Sequence, residues 1–162
     1  MQEEVLNTFP NGSDNGTWGL TYFASSLRVF MEPVVQNAVS RGWGGGVPKV
    51  VGLGSALGNT VAWPSMAFGF RGVGLDILPS CTGAAKELYE EAVEAISRKN
   101  EMLTKYGNES GSSAGTVRFE TVDVVENSAV VQKECADANV VWLNDYSWSV
   151  DGQKEVERAA ME

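Results

Sequence analysis

The sequence contains no histidine, and its only cysteines are Cys81 and Cys135. Without histidine, a Ser-His-Asp triad, a Cys-His pair, an HExxH zinc site and a histidine general base are all impossible within these 162 residues. The two cysteines lie in separate segments, and their spacing does not match that of metal ligands. Any reaction must therefore rely on positioning, on carboxylates or amides, or on a cofactor.

Basic residues and long apolar runs are also scarce. Lys and Arg number 12 against 21 Asp and Glu, which gives a net charge of -9, and no stretch concentrates the basic residues into a patch for phosphates. We expect no direct nucleic-acid binding, and a basic protein or peptide is the easier partner. No apolar run approaches the roughly 18 residues of a membrane helix. Because the first residues also lack signal-peptide features, we expect an intracellular protein without a membrane segment.

The first 48 residues are predicted to form an arm, one helix and a linker. Residues 1–21 are rich in turn-forming residues and predict a flexible arm. From Tyr22 to Ser40 apolar residues recur every three or four positions, which predicts an amphipathic helix bent at Pro33. The Gly-rich run that follows interrupts regular structure, so residues 22–48 comprise this helix and a linker.

From residue 49 onward, short apolar runs alternate with helical patterns, which is typical of a parallel α/β sheet. We predict four strands, at Lys49–Leu53, Gly72–Asp76, Val117–Thr121 and Val140–Leu143. We predict helices from about Asn59 to Phe68, Ala84 to Tyr106, Ser128 to Ala136 and Val150 to Glu162. The fourth strand has no polar residue, so both of its faces should be covered. Residues 49–162 therefore predict one α/β domain with helices on both faces.

A glycine-rich turn follows the first predicted strand. Gly52, Gly54 and Gly58 let a cofactor approach the main chain closely, and the next helix offers free N–H groups at its start. The second strand ends in Asp76, roughly 20 residues further on, where a carboxylate can accept both ribose hydroxyls of an adenosine cofactor. Strand, glycine turn, helix, strand and acid together predict such a site, although a glycine-rich turn alone is often only a turn.

The spacing of the glycines bears on the choice of cofactor. The dinucleotide fingerprint G-x-G-x-x-G requires a third glycine at position 57, where this chain has Leu57. An NAD(P)-dependent oxidoreductase of the Rossmann type therefore stays an alternative, favoured by Asp76 and opposed by Leu57. The turn of methyltransferases tolerates the observed spacing better.

Three segments carry a resemblance to a known family. They are Val50-Val51-Gly52-Leu53-Gly54-Ser55-Ala56-Leu57-Gly58, Gly72-Val73-Gly74-Leu75-Asp76-Ile77 and Val140-Val141-Trp142-Leu143-Asn144-Asp145-Tyr146-Ser147-Trp148. Together they resemble the disruptor-of-telomeric-silencing type, the non-SET histone-lysine methyltransferases. In that family the first motif reads roughly Asp-Leu-Gly-Ser-Gly-x-Gly, the second strand ends Gly-x-Glu, and the fourth ends Asn-Asn-Phe-x-Phe. The resemblance spans about residues 15 to 160.

The resemblance implies a Rossmann-like class I methyltransferase sheet, with about four parallel strands in this chain, that binds S-adenosyl-L-methionine and methylates a protein lysine. Gly54, Ser55 and Gly58 would line the methionine and ribose part of the cofactor, and Gly52 would belong to the same cofactor-binding turn. Asp76 would hold the ribose and Asp123 the adenine amino group, while Asn144 would lie near the methyl group. Tyr146 and Trp148 would wall the acceptor channel, where aromatic rings suit a lysine stem and a sulfonium. Ordinary core packing is the alternative for both aromatic residues.

The chain departs from the family pattern at several positions. Gly52 replaces the leading acid of the first motif, Ala56 replaces its middle glycine, and Leu20 replaces an acid in the Trp18-Gly19-Leu20-Thr21 segment. The lost acids predict weaker cofactor binding. The family sheet also has three further strands, which do not occur before Glu162. A truncated or degenerate relative that at most binds the cofactor is therefore an alternative, and we predict self-association through the edge of the fourth strand.

Overall fold

The computed structural model describes residues 23–40, 46–105, 115–144 and 148–161. In the described residues, two helices, α1 (Phe23–Met31) and α2 (Pro33–Ser40), precede the sheet. Four strands then alternate with four helices: β1 (Lys49–Leu53), α3 (Asn59–Phe68), β2 (Arg71–Asp76), α4 (Pro79–Lys105), β3 (Val117–Thr121), α5 (Ser128–Cys135), β4 (Val140–Leu143) and α6 (Val150–Met161). The predicted arm over residues 1–21 and most of the Gly-rich linker lie outside the described residues.

The four strands form one parallel sheet in the order β3-β2-β1-β4. The predicted α/β Rossmann-like arrangement is thereby confirmed. From β1 the chain proceeds outward through β2 to β3 and then returns to place β4 on the other side of β1. The order therefore reverses between β1 and β4. In open α/β sheets, ligands bind in the crevice outside the carboxyl ends of the strands at this kind of switch point.

Strand β1 is buried along its whole length and has a hydrophobic cluster on each face. Val51 and Leu53 contribute to a cluster that includes Val131 of α5 and Val156 of α6. Val50 packs on the other face in a cluster with Phe30 of α1 and Val61 of α3. This two-sided cover explains the continuous apolar run of β1, because a parallel strand between helical layers meets no water.

Strand β4 is covered less completely. Its four residues, Val140–Leu143, are all half-buried. Val141 and Leu143 pack against the cluster on the α5 and α6 face, and Val140 packs against the cluster on the opposite face. The expected cover on both faces is therefore present in part. Within the described residues β4 pairs only with β1, so its outer edge has no ladder partner there.

The structure corrects two predicted helix boundaries. The single helix expected up to Ser40 is broken at Glu32, because Pro33 lacks an N–H group and begins α2 instead of continuing α1. Helix α4 begins at Pro79 and not at Ala84. Its first residues, Pro79-Ser80-Cys81-Thr82-Gly83, include poor helix formers that conceal the start, although Cys81 and Thr82 are buried.

Within the ranges that the structure describes, no helix combines the length and apolar character needed to cross a membrane.

Candidate functional site

The glycine turn lies at the carboxyl end of β1. Gly54, Ala56 and Gly58 have φ angles of 70°, 48° and 77°. The N–H of Ser55 donates to the carbonyl of Leu75 at 2.9 Å, and the N–H of Gly58 donates to the carbonyl of Ser55 at 2.7 Å. The three left-handed residues stand at the three glycine positions of the motif that the sequence resembles. Ala56 alone of them has a side chain, and a left-handed conformation costs such a residue about 1 kcal/mol.

Asp76, the last residue of β2, contacts this turn through its side chain. Its Oδ2 accepts the N–H of Ala56 at 2.7 Å, and its Oδ1 accepts the N–H of Leu78 at 2.9 Å. Asp76 is only 8% exposed. Burial raises the pKa of its carboxyl above the ordinary value, although both N–H donors act in the opposite direction. Since a carboxylate oxygen has two lone pairs, each oxygen retains one acceptor position.

Asn144, the residue after β4, fastens the end of that strand to the same turn. Its N–H donates to the carbonyl of Leu53, and its Nδ2 donates to the carbonyl of Gly54, both at 3.0 Å. A Cβ atom at Gly54 would lie 2.7 Å from the carbonyl oxygen of Asn144 and 3.1 Å from Cζ2 of Trp148. The structure thus brings Gly54, Asn144 and Trp148 together at the switch point. Tyr146 lies outside the described residues.

Asp123 lies in the turn that follows β3, beside the end of β2. The neighbouring Val122 donates its N–H to the carbonyl of Asp76 at 2.8 Å. The Asp123 Oδ1 accepts N–H groups of Val125 and Glu126 at 3.0 and 3.3 Å. The carboxylate therefore stabilises its own turn. Asp123 nevertheless lies at the carboxyl edge of the sheet, near the end of β2 that carries Asp76.

Three further residues of the predicted site are buried: Gly52, Gly58 and Ser55. A Cβ at Gly52 would lie 3.0 Å from Cγ1 of Val61, so the glycine lets α3 pack closely on β1. A Cβ at Gly58 would clash with the ring of Phe119. Packing thus accounts for Gly52, and Gly58 is required both by this contact and by its left-handed φ angle. Ser55 is 6% exposed, and its Oγ has no hydrogen-bond partner.

Two residues at this edge were given no role from the sequence. Ile77 directly follows Asp76 and is 53% exposed, although it is large and apolar. An exposed aliphatic side chain beside a buried acid is suited to contact the ring of a ligand. Thr60 of α3 has a buried Oγ1 without a partner, 3.1 Å from the Cβ position of Gly52. The apolar residue after the strand-ending acid was a usable signal, whereas no sequence signal marked Thr60.

A second polar region lies at the opposite, amino-terminal edge of the sheet. A groove of about 180 Å³ is lined there by residues that include Lys49, Arg71 and Arg118. The Lys49 Nζ lies 3.3 Å from Oε2 of Glu134 and 2.5 Å from Oδ1 of Asp137. Arg71 pairs with Asp137, and Arg118 pairs with Glu134. These basic side chains are engaged with carboxylates of the protein, so the groove shows no unpaired charge for a ligand.

The ion pairs at this edge lower the pKa values of two carboxyl groups, those of Glu134 and Asp137. Burial raises the pKa of Glu134, but the hydrogen bond and charge of Arg118, together with Lys49, outweigh burial and hold the pKa below its ordinary value. The hydrogen bond from Lys49 is the main cause that lowers the pKa of Asp137. Both carboxylates therefore stabilise the folded chain in their ionised form.

The thiols show no sign of activation. Burial raises the pKa of Cys81 and of Cys135 to about 11. A thiolate is the reactive form of cysteine, so both side chains are poor nucleophiles at neutral pH. In the part of the chain that the structure describes, no three His, Cys, Asp or Glu side chains gather as metal ligands.

Comparison with known protein families finds no family model that matches the chain, and no curated protein matches it.

Proposed function

We propose that the chain binds S-adenosyl-L-methionine at the carboxyl ends of β1, β2 and β4 and transfers its methyl group to a protein lysine. The observation that carries the proposal is the turn with left-handed residues at Gly54, Ala56 and Gly58, held by the carboxylate of Asp76. A Gly-x-Gly-x-Gly motif suits this backbone, because glycine adopts positive φ angles without steric cost. Here Ala56 adopts such an angle in place of the middle glycine.

The residues at this edge fit an adenosine cofactor in several respects. Asp76 retains acceptor positions for ribose hydroxyls, and the exposed side chain of Ile77 beside it suits an adenine ring. Helix α3 begins directly after the turn, where the positive end of the helix favours the cofactor carboxylate. The buried hydroxyl of Ser55, which has no partner, leaves a further donor and acceptor in the turn.

When bound, the cofactor supplies a methyl group already activated by its sulfonium. Methyl transfer is an in-line displacement, so the chain has to align the acceptor and exclude water. Trp148 lies next to Gly54, and its indole is the aromatic group available to wall the site once the cofactor is bound, since an aromatic face attracts a cation. Desolvation near this ring favours the neutral form of an acceptor amine by lowering its pKa. These requirements need no histidine, which agrees with the composition.

The acceptor class follows from charge and from the family resemblance. A chain with a net charge of -9 attracts a basic segment more readily than an acidic one. A lysine in a basic protein or peptide is therefore the acceptor that we propose, and an intracellular location is part of the proposal.

A second candidate is a relative that binds the cofactor without turnover. It is favoured by Gly52, which is buried against Val61 and supplies no carboxylate where the family motif has its leading acid. An acid at this position would orient the methionine end of the cofactor.

An assay of methyl transfer from radiolabelled S-adenosylmethionine to a lysine-rich peptide distinguishes the methyltransferase from a protein that only binds the cofactor. An arginine-rich peptide of equal length and charge serves as the matched control. Transfer to the lysine peptide alone supports the proposed activity. Cofactor binding without transfer supports the second candidate, and binding of NAD in place of S-adenosylmethionine contradicts both.

A further inference from the structure

The crevice at the topological switch point is partly filled by the protein itself. Gly54 follows β1 and Asn144 follows β4, so the space between them is the place where an open parallel sheet receives a ligand. Trp148 reaches into this space, because its Cζ2 atom lies 3.1 Å from the Cβ position of Gly54. A cofactor that approaches the main chain of Gly54 from this side meets the indole.

Trp148 lies between two fixed points of the chain. On one side, the end of β4 is fastened by the two hydrogen bonds from Asn144 to Leu53 and Gly54. On the other side, Ser149 caps α6, since its Oγ accepts the N–H of Gly152 at 3.1 Å and its carbonyl accepts the N–H of Gln153 at 2.9 Å. A change of the Trp148 rotamer would move the indole without displacing β4 or the start of α6, which these hydrogen bonds hold.

The indole is half-buried and packs against the cluster that contains Leu53 and Val156. If the indole left this position, it would lose apolar contacts. The rotamer that lies against Gly54 is therefore stabilised in the absence of a ligand.

We infer that Trp148 is a gate that occupies the methionine end of the cofactor site and moves aside when the cofactor binds. This inference rests on the proposed function. The measured dissociation constant is then the intrinsic constant divided by the fraction of molecules in which the indole has moved away. After the movement, the indole lies beside the site as a wall for the sulfonium.

The test compares Trp148→Ala and Trp148→Phe with the unaltered chain, using S-adenosylhomocysteine in calorimetric titration and stopped-flow mixing. Since Trp148→Ala removes the obstacle, we expect it to bind at least about threefold more tightly and to associate faster. Trp148→Phe should fall between the two, and it keeps the test possible if the alanine variant does not fold. Trp142→Phe in β4 is the matched control for the loss of an indole and should leave binding unchanged.

Unchanged or weaker binding by folded Trp148 variants overturns the gate and assigns Trp148 to the wall or to the core. Asp76→Ala separates this failure from a failure of the proposed function. If the Trp148 variants show no gain while the unaltered chain binds S-adenosylhomocysteine and Asp76→Ala binds it more weakly, the proposed site stands and only the gate is contradicted. If no variant binds S-adenosylhomocysteine, the proposed function fails, and the gate fails with it.

Discussion

The carboxylate of Asp76 accepts the main-chain N–H of Ala56 at 2.7 Å, which ties the end of β2 to the glycine turn after β1. The other oxygen of the carboxylate accepts the N–H of Leu78 at 2.9 Å. A residue expected only to bind ribose is therefore also a structural support of the turn. Binding and stability should respond together when it is replaced.

Replacing Asp76 by asparagine tests this double role. The amide retains one acceptor, so one of the two N–H groups loses its partner, and we expect a loss of about 1–3 kcal/mol in the free energy of unfolding. Urea unfolding measures the loss, with Asp123→Asn as a control, because the Asp123 carboxylate accepts N–H groups of its own local turn. Equal stability of Asp76→Asn and the unaltered chain contradicts the supporting role.

The left-handed backbone of Ala56 predicts opposite effects for two complementary substitutions. Ala56→Gly removes the steric cost at φ 48°, and the greater flexibility of the unfolded chain offsets part of the gain, so stability should stay equal or rise by up to about 1 kcal/mol. Gly54→Ala should destabilise the chain, since its Cβ would lie 2.7 Å from the carbonyl oxygen of Asn144. Thermal unfolding compares the two, and a clear loss in Ala56→Gly argues against the described turn.

The ion pairs at the amino-terminal edge predict a dependence of stability on pH. The pKa values of Glu134 and Asp137 are lower in the folded chain than their ordinary values, so the unfolded chain takes up protons first as the pH falls. Their contribution is present at neutral pH and is lost below about pH 4, as the carboxyls become protonated. Urea unfolding at a series of pH values measures it.

Glu134→Gln provides the matched variant for this pH dependence. It should cost about 3 kcal/mol at neutral pH, because Lys49 is buried and loses one of its partners. The variant should also make the free energy of unfolding less dependent on pH in the acid range. A variant with the same acid sensitivity as the unaltered chain shows that other carboxyls determine the curve.

The outer edge of β4 predicts association between molecules. Val140–Leu143 carries no charge, and the described residues supply no ladder partner on that side. An unpaired apolar edge favours pairing with another chain. Light scattering across a concentration series should show a rising mass, and Trp142→Lys should reduce it if its melting temperature shows a folded chain. A constant monomer mass for the unaltered chain at high concentration contradicts the prediction.

The local pattern of apolar residues and turn residues was sufficient to predict much of the fold. The bounds of β1, β3, β4 and α3 agree with the prediction, because each has a continuous or periodic apolar pattern ended by turn residues. The start of α4 could not be located in the same way, since Pro79, Thr82 and Gly83 are weak helix formers that tertiary contacts hold in a helix.

The site was predictable only in part. The sequence placed the glycine turn and Asp76 at one edge, because parallel strands bring their carboxyl ends together. It did not indicate that Asp76 would bind the N–H of Ala56, or that Trp148 would lie against Gly54. Both contacts depend on how loops fold back over the sheet, and no residue spacing encodes that.

Calorimetric titration with S-adenosylhomocysteine tests the central claim most directly. The account predicts one binding site per chain, with Asp76→Ala weakening binding by about 1.5–3 kcal/mol through the loss of charge-assisted hydrogen bonds. The experiment should include NAD at the same concentrations and confirm by circular dichroism that the variant is folded. Absence of binding, or an affinity that a folded Asp76→Ala variant leaves unchanged, contradicts the assignment of this edge as a site for S-adenosylmethionine.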